Sequence, residues 1–342
     1  MDTRSSYEES VQRALGRIAA HVPEDLVARF VAGSGIVRDD IHPIAAAPSG
    51  IVSAVDGSNA MVLEGGSVAI AAVRAARTTF TGNERAGRSV TPLTLVTIGP
   101  GHRNQDFDEM FHECFGVPPK KGLDNSDPER ASAILRDTLE YWVALRTAAT
   151  LPPGALLLID GALRVSSQNH EPVMEEIVRT AQERGILLAA VAKRTRATWE
   201  GGHPLLPALG GLVEQLGITG PWWTAIDEHL LDHTEYRQGR HGKIFVASLH
   251  PHFSRPLKME LPKETDEQTA AATMQALAAC AGDGRVPGYP YPLLDAHRTV
   301  EIDEPLVQQI LQDIQAGLAK QGVGNRRFED LFGDLHGDFK RY

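Results

Sequence analysis

Two short runs of uninterrupted apolar residues organise the chain, and each closes on Asp-Gly. The first is Gly50 to Ser58, with Ile51, Val52, Ala54 and Val55 ahead of Asp56-Gly57; the second is Leu156 to Asp160, followed by Gly161. Apolar residues that do not alternate with polar ones are the pattern of a strand covered on both faces, and a glycine directly afterwards breaks it. Asp56 and Asp160 are therefore expected at strand ends, on the edge of a sheet where a charged group reaches a cleft. Taken alone, Asp56-Gly57-Ser58 reads more readily as a turn in which the aspartate caps its own backbone. The second strand of the same design turns the balance toward a paired site.

Between and around these strands, helical periodicity marks Tyr7 to Ala20, and a further short helix with an irregular approach completes an N-terminal helical appendage over residues 1–48. Gly66 to Phe80 and Thr91 to Ile98 read as strands joined by the polar loop Thr81 to Ser89, and strands consecutive in sequence imply antiparallel neighbours. Residues 99–125 suit a long surface loop or short helices. Asp127 to Thr150 is a helix, with Asp127 as cap, Pro128 in the first turn, and Leu135, Leu139 and Trp142 on one face. Pro172 to Arg184 is helical and Ile186 to Ala192 is a third buried strand, ending at Lys193. Strand, helix and strand in that order predict a parallel, right-handed unit. Short helices are expected in 195–220 and 226–231, strands over 243–249 and 256–261, and helices over 268–281 and 304–320, with a polar C-terminal tail over 326–342. The fold class is α/β, a mixed sheet flanked by helices, with an N-terminal helical appendage and insertions.

Composition narrows the function. A 42% hydrophobic chain of 342 residues builds an ample core, and it has no run of about 18 apolar residues, so no membrane partner is expected and a cytoplasmic protein is. Cys114 and Cys280 have no metal spacing and read as reduced thiols. A net charge of -10, from 34 basic and 44 acidic residues, argues against a protein that coats nucleic acid with its whole surface, although it leaves room for a basic groove.

Two carboxylates at the ends of rigid buried strands supply hard oxygen ligands for a divalent cation, with positions left for water and a substrate phosphate. A pair of such cations would stabilise both oxygens of an in-line phosphoryl displacement, which points to phosphodiester hydrolysis. Glu140, on the helix ahead of the Asp160 strand, is a third candidate. At about 100° per residue it points away from the apolar centre of that helix, and only a second buried face through Ala133, Val143 and Ala144 would bring it inward. His297 lies at the end of Tyr289-Pro290-Tyr291-Pro292-Leu293-Leu294-Asp295-Ala296-His297, where a proline-stiffened loop would deliver an imidazole for metal or proton. One histidine among thirteen is more often structural, and Asp295 competes with it. Glu64 or the acidic stretch 106–113 would replace Glu140 as third ligand if that helix faced elsewhere. The chain has no phosphate-binding Gly-x-x-x-x-Gly-Lys-Ser/Thr loop, no Gly-x-Gly-x-x-Gly, no His-Glu-x-x-His and no Gly-x-Ser-x-Gly.

Four segments in order, Ala54-Val55-Asp56-Gly57-Ser58, Leu158-Ile159-Asp160-Gly161-Ala162-Leu163, Val191-Ala192-Lys193-Arg194 and Tyr291-Pro292-Leu293-Leu294-Asp295-Ala296-His297, resemble the successive motifs of the NurA nuclease family. The resemblance implies a ribonuclease H-like domain related to the Piwi nuclease domain, over residues 49–325. It also implies cleavage of DNA with manganese or magnesium at a two-metal site, a homodimer, and partnership with the hexameric HerA translocase in processing DNA ends. By motif, Asp56, Asp160 and His297 would be metal-site residues, and Glu140 would join them by its place before the second strand. Lys193 would lie near the scissile phosphate. Arg194, Arg196, Arg240 and Lys243 would line a DNA channel whose outside stays acidic. Two other readings stand beside this one. An actin-like ATPase or sugar kinase also opens with Asp-Gly-Ser/Thr turns, but Gly201-Gly202 and Gly210-Gly211 are poor matches to its nucleotide loops. A non-catalytic translocase adaptor would have no need of two buried strands ending in carboxylates.

Overall fold

The computed structural model describes residues 3–20, 25–45, 47, 50–65, 68–99, 105–193, 195, 197–232, 239–252, 255–323, 328 and 332. In chain order, α1 (Thr3–Ala20) and α2 (Leu26–Ser34) precede the short β1 (His42–Pro43). The long strands β2 (Ile51–Glu64) and β3 (Ala69–Thr81) follow, with β4 (Glu84–Val90) and β5 (Thr94–Ile98). Two helices, α3 (Gln105–Phe115) and α4 (Pro128–Ala148), lead to the central unit of β6 (Leu156–Asp160), α5 (Glu171–Glu183) and β7 (Leu187–Ala192). The small pair β8 (Thr198–Trp199) and β9 (His203–Pro204) then opens α6 (Leu205–Gln215). The remainder comprises β10 (Trp222–Ala225), β11 (Gly242–Ser248), β12 (Leu257–Pro262), α7 (Glu267–Ala279), α8 (Tyr291–Val300) and α9 (Glu304–Lys320).

Among the described residues, ten strands form one sheet in the order β1-β10-β11-β12-β7-β6-β2-β3-β4, with β5 also paired to β3. The expected parallel unit is present: β2, β6 and β7 run parallel, with Val55 opposite Ile159 and Asp160 opposite Val191. The other ladders are antiparallel, including β12 on β7, so the sheet is mixed as predicted.

Both faces of the central strands are covered. Val52, Ala54, Leu156 and Leu158 pack toward α7 and α8, together with Met274, Leu277, Leu293 and Ala296. Val55, Leu157 and Ile159 face α4 and α5, against Tyr141, Ala144, Met174 and Ile177. Each buried leucine or isoleucine contributes about 1.5–3 kcal/mol relative to exposure. Strand alternation then puts Asp56 and Asp160, two residues beyond Ala54 and Leu158, on the α8 face.

Several expectations are corrected. Asp56 is not at a strand end: β2 continues to Glu64, held by β3 after β6 has stopped pairing with it at Val55. The stretch 81–89, expected as a polar loop, contains β4, an edge strand whose side chains are almost all exposed and which therefore carries no hydrophobic signal. His297 is presented by a helix and not by a loop, because Pro292 sits in the first turn of α8, where no amide hydrogen is required. Helix α2 docks on α6 in a cluster built from Phe30, Leu209 and Trp199, with Gly211 leaving room for Val27, and β1 extends the sheet beside β10.

Candidate active site

The site forms where β2 outruns β6. Asp56, beyond the last parallel partner, is 3% exposed, and Asp160 terminates β6 next to it. Lys193, one residue past β7, bridges them: its Nζ lies 3.0 Å from Asp160 Oδ2 and 3.4 Å from Asp56 Oδ2. His297 Nδ1 approaches Asp56 Oδ2 from α8 at 2.8 Å, with the imidazole 46% exposed to the groove. Helix α8 is fixed to the sheet at three places: Thr78 Oγ1 donates to Pro292 O, Arg74 Nε donates to Val300 O, and Arg85 grips both oxygens of Asp295. Asp295, the competing candidate, is thereby committed to Arg85 and buried.

Glu140 comes from the opposite face. The helical pattern put it toward solvent, yet it is 5% exposed, because α4 is buried on two sides, by Leu135 and Leu139 on one and by Tyr141 and Ala144 on the other. The opening that lets it reach the site is Gly57. A Cβ on Gly57 would fall 3.0 Å from Glu140 Oε2 and 2.8 Å from Arg136 Cγ, so only a residue without a side chain lets α4 come this close to β2. The φ of Gly57 is not in the left-handed region, whereas Gly161, after the second aspartate, has φ +95°. The two Asp-Gly pairs therefore use glycine for different reasons, close approach in one and turn geometry in the other.

These carboxyls are costly where they stand. Burial, then the charge of Asp160, raises the pKa of Asp56, opposed by Lys193 and His297. Glu140 is raised well above the ordinary glutamate range by burial first and Asp56 second, with Arg136 opposing. Asp160 Oδ1 is buried with no hydrogen-bond partner. Asp56 and Glu140, desolvated and repelling one another, stand beside Asp160 with its unpartnered buried oxygen, and the set fits a divalent cation: the donors are hard oxygens, and a cation would relieve both the repulsion and the desolvation. The neighbouring Tyr289 was not singled out from the sequence although it begins the quoted Tyr-Pro-Tyr-Pro run. Its hydroxyl is buried, and burial followed by Asp160 and Asp56 holds it protonated.

The cationic candidates divide. Arg194 and Arg196 lie outside the described residues. Arg240, expected on a DNA channel, has a side chain only 1% exposed and pairs with Glu228 at 3.5 Å, so it is a packed internal cation. Lys243 is exposed on β11, its ammonium 5.6 Å from the centre of the Phe245 ring. Asp106 of the fallback stretch 106–113 accepts from Thr97 N, and Glu64 is exposed at the far end of β2. Burial pushes the thiols of Cys114 and Cys280 up to about 12, which leaves no thiolate nucleophile at either position. A separate group, Glu171, Glu175 and His241, brings ligand atoms within 4.8 Å of one another. The i,i+4 glutamate pair on α5 is visible in the sequence, but its histidine comes from the residue just ahead of β11.

The family model for the NurA domain matches residues 50–302. The crystal structure of the NurA nuclease from Sulfolobus solfataricus, 14% identical, superposes with a TM-score of 0.58 over 94% of this chain and 98% of that one. A second NurA crystal structure, 8% identical, gives 0.51 over 90% of this chain and 97% of the other. At these identities the likeness is one of fold. No curated protein matches the chain.

Proposed function

The chain belongs to the NurA family, and from that premise we propose that it is a metal-dependent DNA nuclease whose site is built on Asp56, Glu140, Asp160 and His297. The observation that carries this reading is the gathering of two desolvated carboxyls, Asp56 and Glu140, with Asp160 where β2 passes the end of β6, Asp160 Oδ1 being buried and making no hydrogen bond. Asp56, Asp160, Glu140 and His297 would hold Mn2+ or Mg2+ in a two-metal arrangement. When bound, such ions supply charge stabilisation to the attacking and leaving oxygens of a phosphodiester.

The chain's own groups divide the remaining work. Lys193, half in the groove and already paired with both aspartates, carries the positive charge that meets the scissile phosphate. His297 has Nδ1 directed at Asp56, which leaves Nε2 as the ring nitrogen available to a metal ion in the groove. Because the chain carries a net charge of -10, DNA would be held by local cations such as Lys193 and Lys243 and not by a general field.

In its finer form, the proposal is an exonuclease on linear DNA and an endonuclease on single strands, acting as a homodimer with a HerA-type hexameric translocase in DNA end resection and double-strand break repair in the cytoplasm. The motif resemblance supports these partners, and no described helix is long and apolar enough to cross a membrane. Incubation of the purified protein with linear and single-stranded DNA and Mn2+ tests the core of the proposal. Degradation should fall by a factor of about 10² or more in Asp56→Asn and Asp160→Asn, as the loss of several kcal/mol of charge stabilisation requires. No degradation, or degradation indifferent to both substitutions, would overturn it.

A further inference from the structure

A cavity of about 1080 Å³ opens beside the carboxyls, and Lys193, Tyr289 and His297 form the edge it shares with them. Away from that edge its wall is mostly apolar, with Leu206 and Val213 of α6, Trp222 of β10 and Leu257 of β12, while His250 and Arg255 add polar groups. A phosphodiester backbone needs cations and hydrogen-bond donors, and it has no use for an apolar chamber of this size, which is the scale and character of a site for a ring-bearing small molecule.

Gly210 leaves this space unfilled. It lies within α6, where glycine costs helix stability, and it lines the cavity. Its φ is not left-handed, and no atom lies within 4 Å of the place its Cβ would take. Its neighbour Gly211 is required by Val27, but nothing in the packing requires Gly210 to be glycine. A side chain there would project into the chamber.

Resting on the nuclease reading above, we propose that this cavity receives the nucleobase of the nucleotide whose phosphate lies at Lys193 and His297. The base must then be turned out of its stack, since a paired base inside a duplex presents neither its flat face nor enough free length to enter. The substrate is bound as a locally unpaired strand. The apolar wall gains from any of the four bases, and the grip is indifferent to sequence.

Binding in EDTA separates this inference from the cleavage chemistry. The probes are a fluorescent oligothymidylate and a tetrahydrofuran abasic strand of equal length, read by anisotropy with the wild-type protein and with the cavity-filling Gly210→Phe. Leu206→Trp serves as a second filling variant, and circular dichroism and a cooperative melt qualify each. The wild type should bind oligothymidylate at least about tenfold more tightly than the abasic strand, and filling should cut that advantage at least fivefold. Equal affinity of the wild type for both strands, or an advantage untouched in the folded filled variants, would overturn the inference. Base discrimination in EDTA without cleavage when Mn2+ is added would support the cavity assignment while overturning the nuclease reading.

Discussion

Gly57→Ala is the smallest change that forces β2 and α4 apart at the site. The alanine fits the backbone, because Gly57 does not use a left-handed φ, so its whole effect is steric. The added Cβ would lie 2.8 Å from Arg136 Cγ, 3.0 Å from Glu140 Oε2 and 3.3 Å from Glu140 Cβ. Carbon atoms settle at about 3.5–4.0 Å, so the Arg136 chain must swing aside, and Glu140 must retreat by roughly 0.5 Å at its Cβ and more at its carboxyl. Overpacking of this kind costs about 1–3 kcal/mol of stability. Displacing a catalytic group by up to 1 Å costs as much as about 10²-fold in rate. Urea unfolding should therefore show a loss of about 1–3 kcal/mol, and kcat/KM for Mn2+-dependent hydrolysis of a single-stranded oligonucleotide should fall by about 10–100-fold. A variant with wild-type stability and wild-type kcat/KM would refute both the close approach and the need for Glu140 at the site.

Two other outcomes follow from the same geometry. Asp56 and Glu140 have folded pKa values above their ordinary ones, so the folded protein holds protons that the unfolded chain has released. The stability this contributes is complete below the ordinary carboxylate range and is lost as pH rises through the raised folded values. The metal-free Tm should consequently fall as pH rises above the ordinary carboxylate range, Glu140→Gln should flatten that fall, and Mn2+ should raise Tm more at high pH than at low; a profile identical in wild type and Glu140→Gln would contradict this. Arg85→Ala leaves the buried Asp295 carboxylate without its charged partner. It should cost about 1.5–3 kcal/mol in chemical unfolding, whereas a loss below about 0.5 kcal/mol would place the pair with ordinary surface salt bridges.

The central parallel unit was legible because β6 and β7 are buried on both faces and so read as unbroken apolar runs, each ending where a charged side chain marks the sheet edge. The same rule misplaced the end of β2. Gly57 looks like a breaker, but β3 continues to pair with β2 on its other edge, and a long-range ladder of that kind leaves no local trace. Glu140 was hidden for a related reason: one apolar stripe implies one buried face, while α4 is packed by α3 on one side and α5 on the other. His297 meets Asp56 from a helix and not from the expected loop, since Pro290 and Pro292 describe equally well a stiff loop and the first turn of a helix. Arg240 shows the limit of reading charge clusters as surface, because it is buried and paired with Glu228, twelve positions earlier. The cavity beside Lys193 left almost no signal beyond two consecutive glycines in α6, only one of which has a packing reason.

Anomalous diffraction from crystals soaked in Mn2+ tests the account most directly. Manganese is expected between Asp56 and Asp160, with Glu140 and His297 within reach and the Lys193 ammonium displaced from its bridging position. Manganese at Glu171, Glu175 and His241 alone, with Lys193 still bridging the two aspartates, would contradict it.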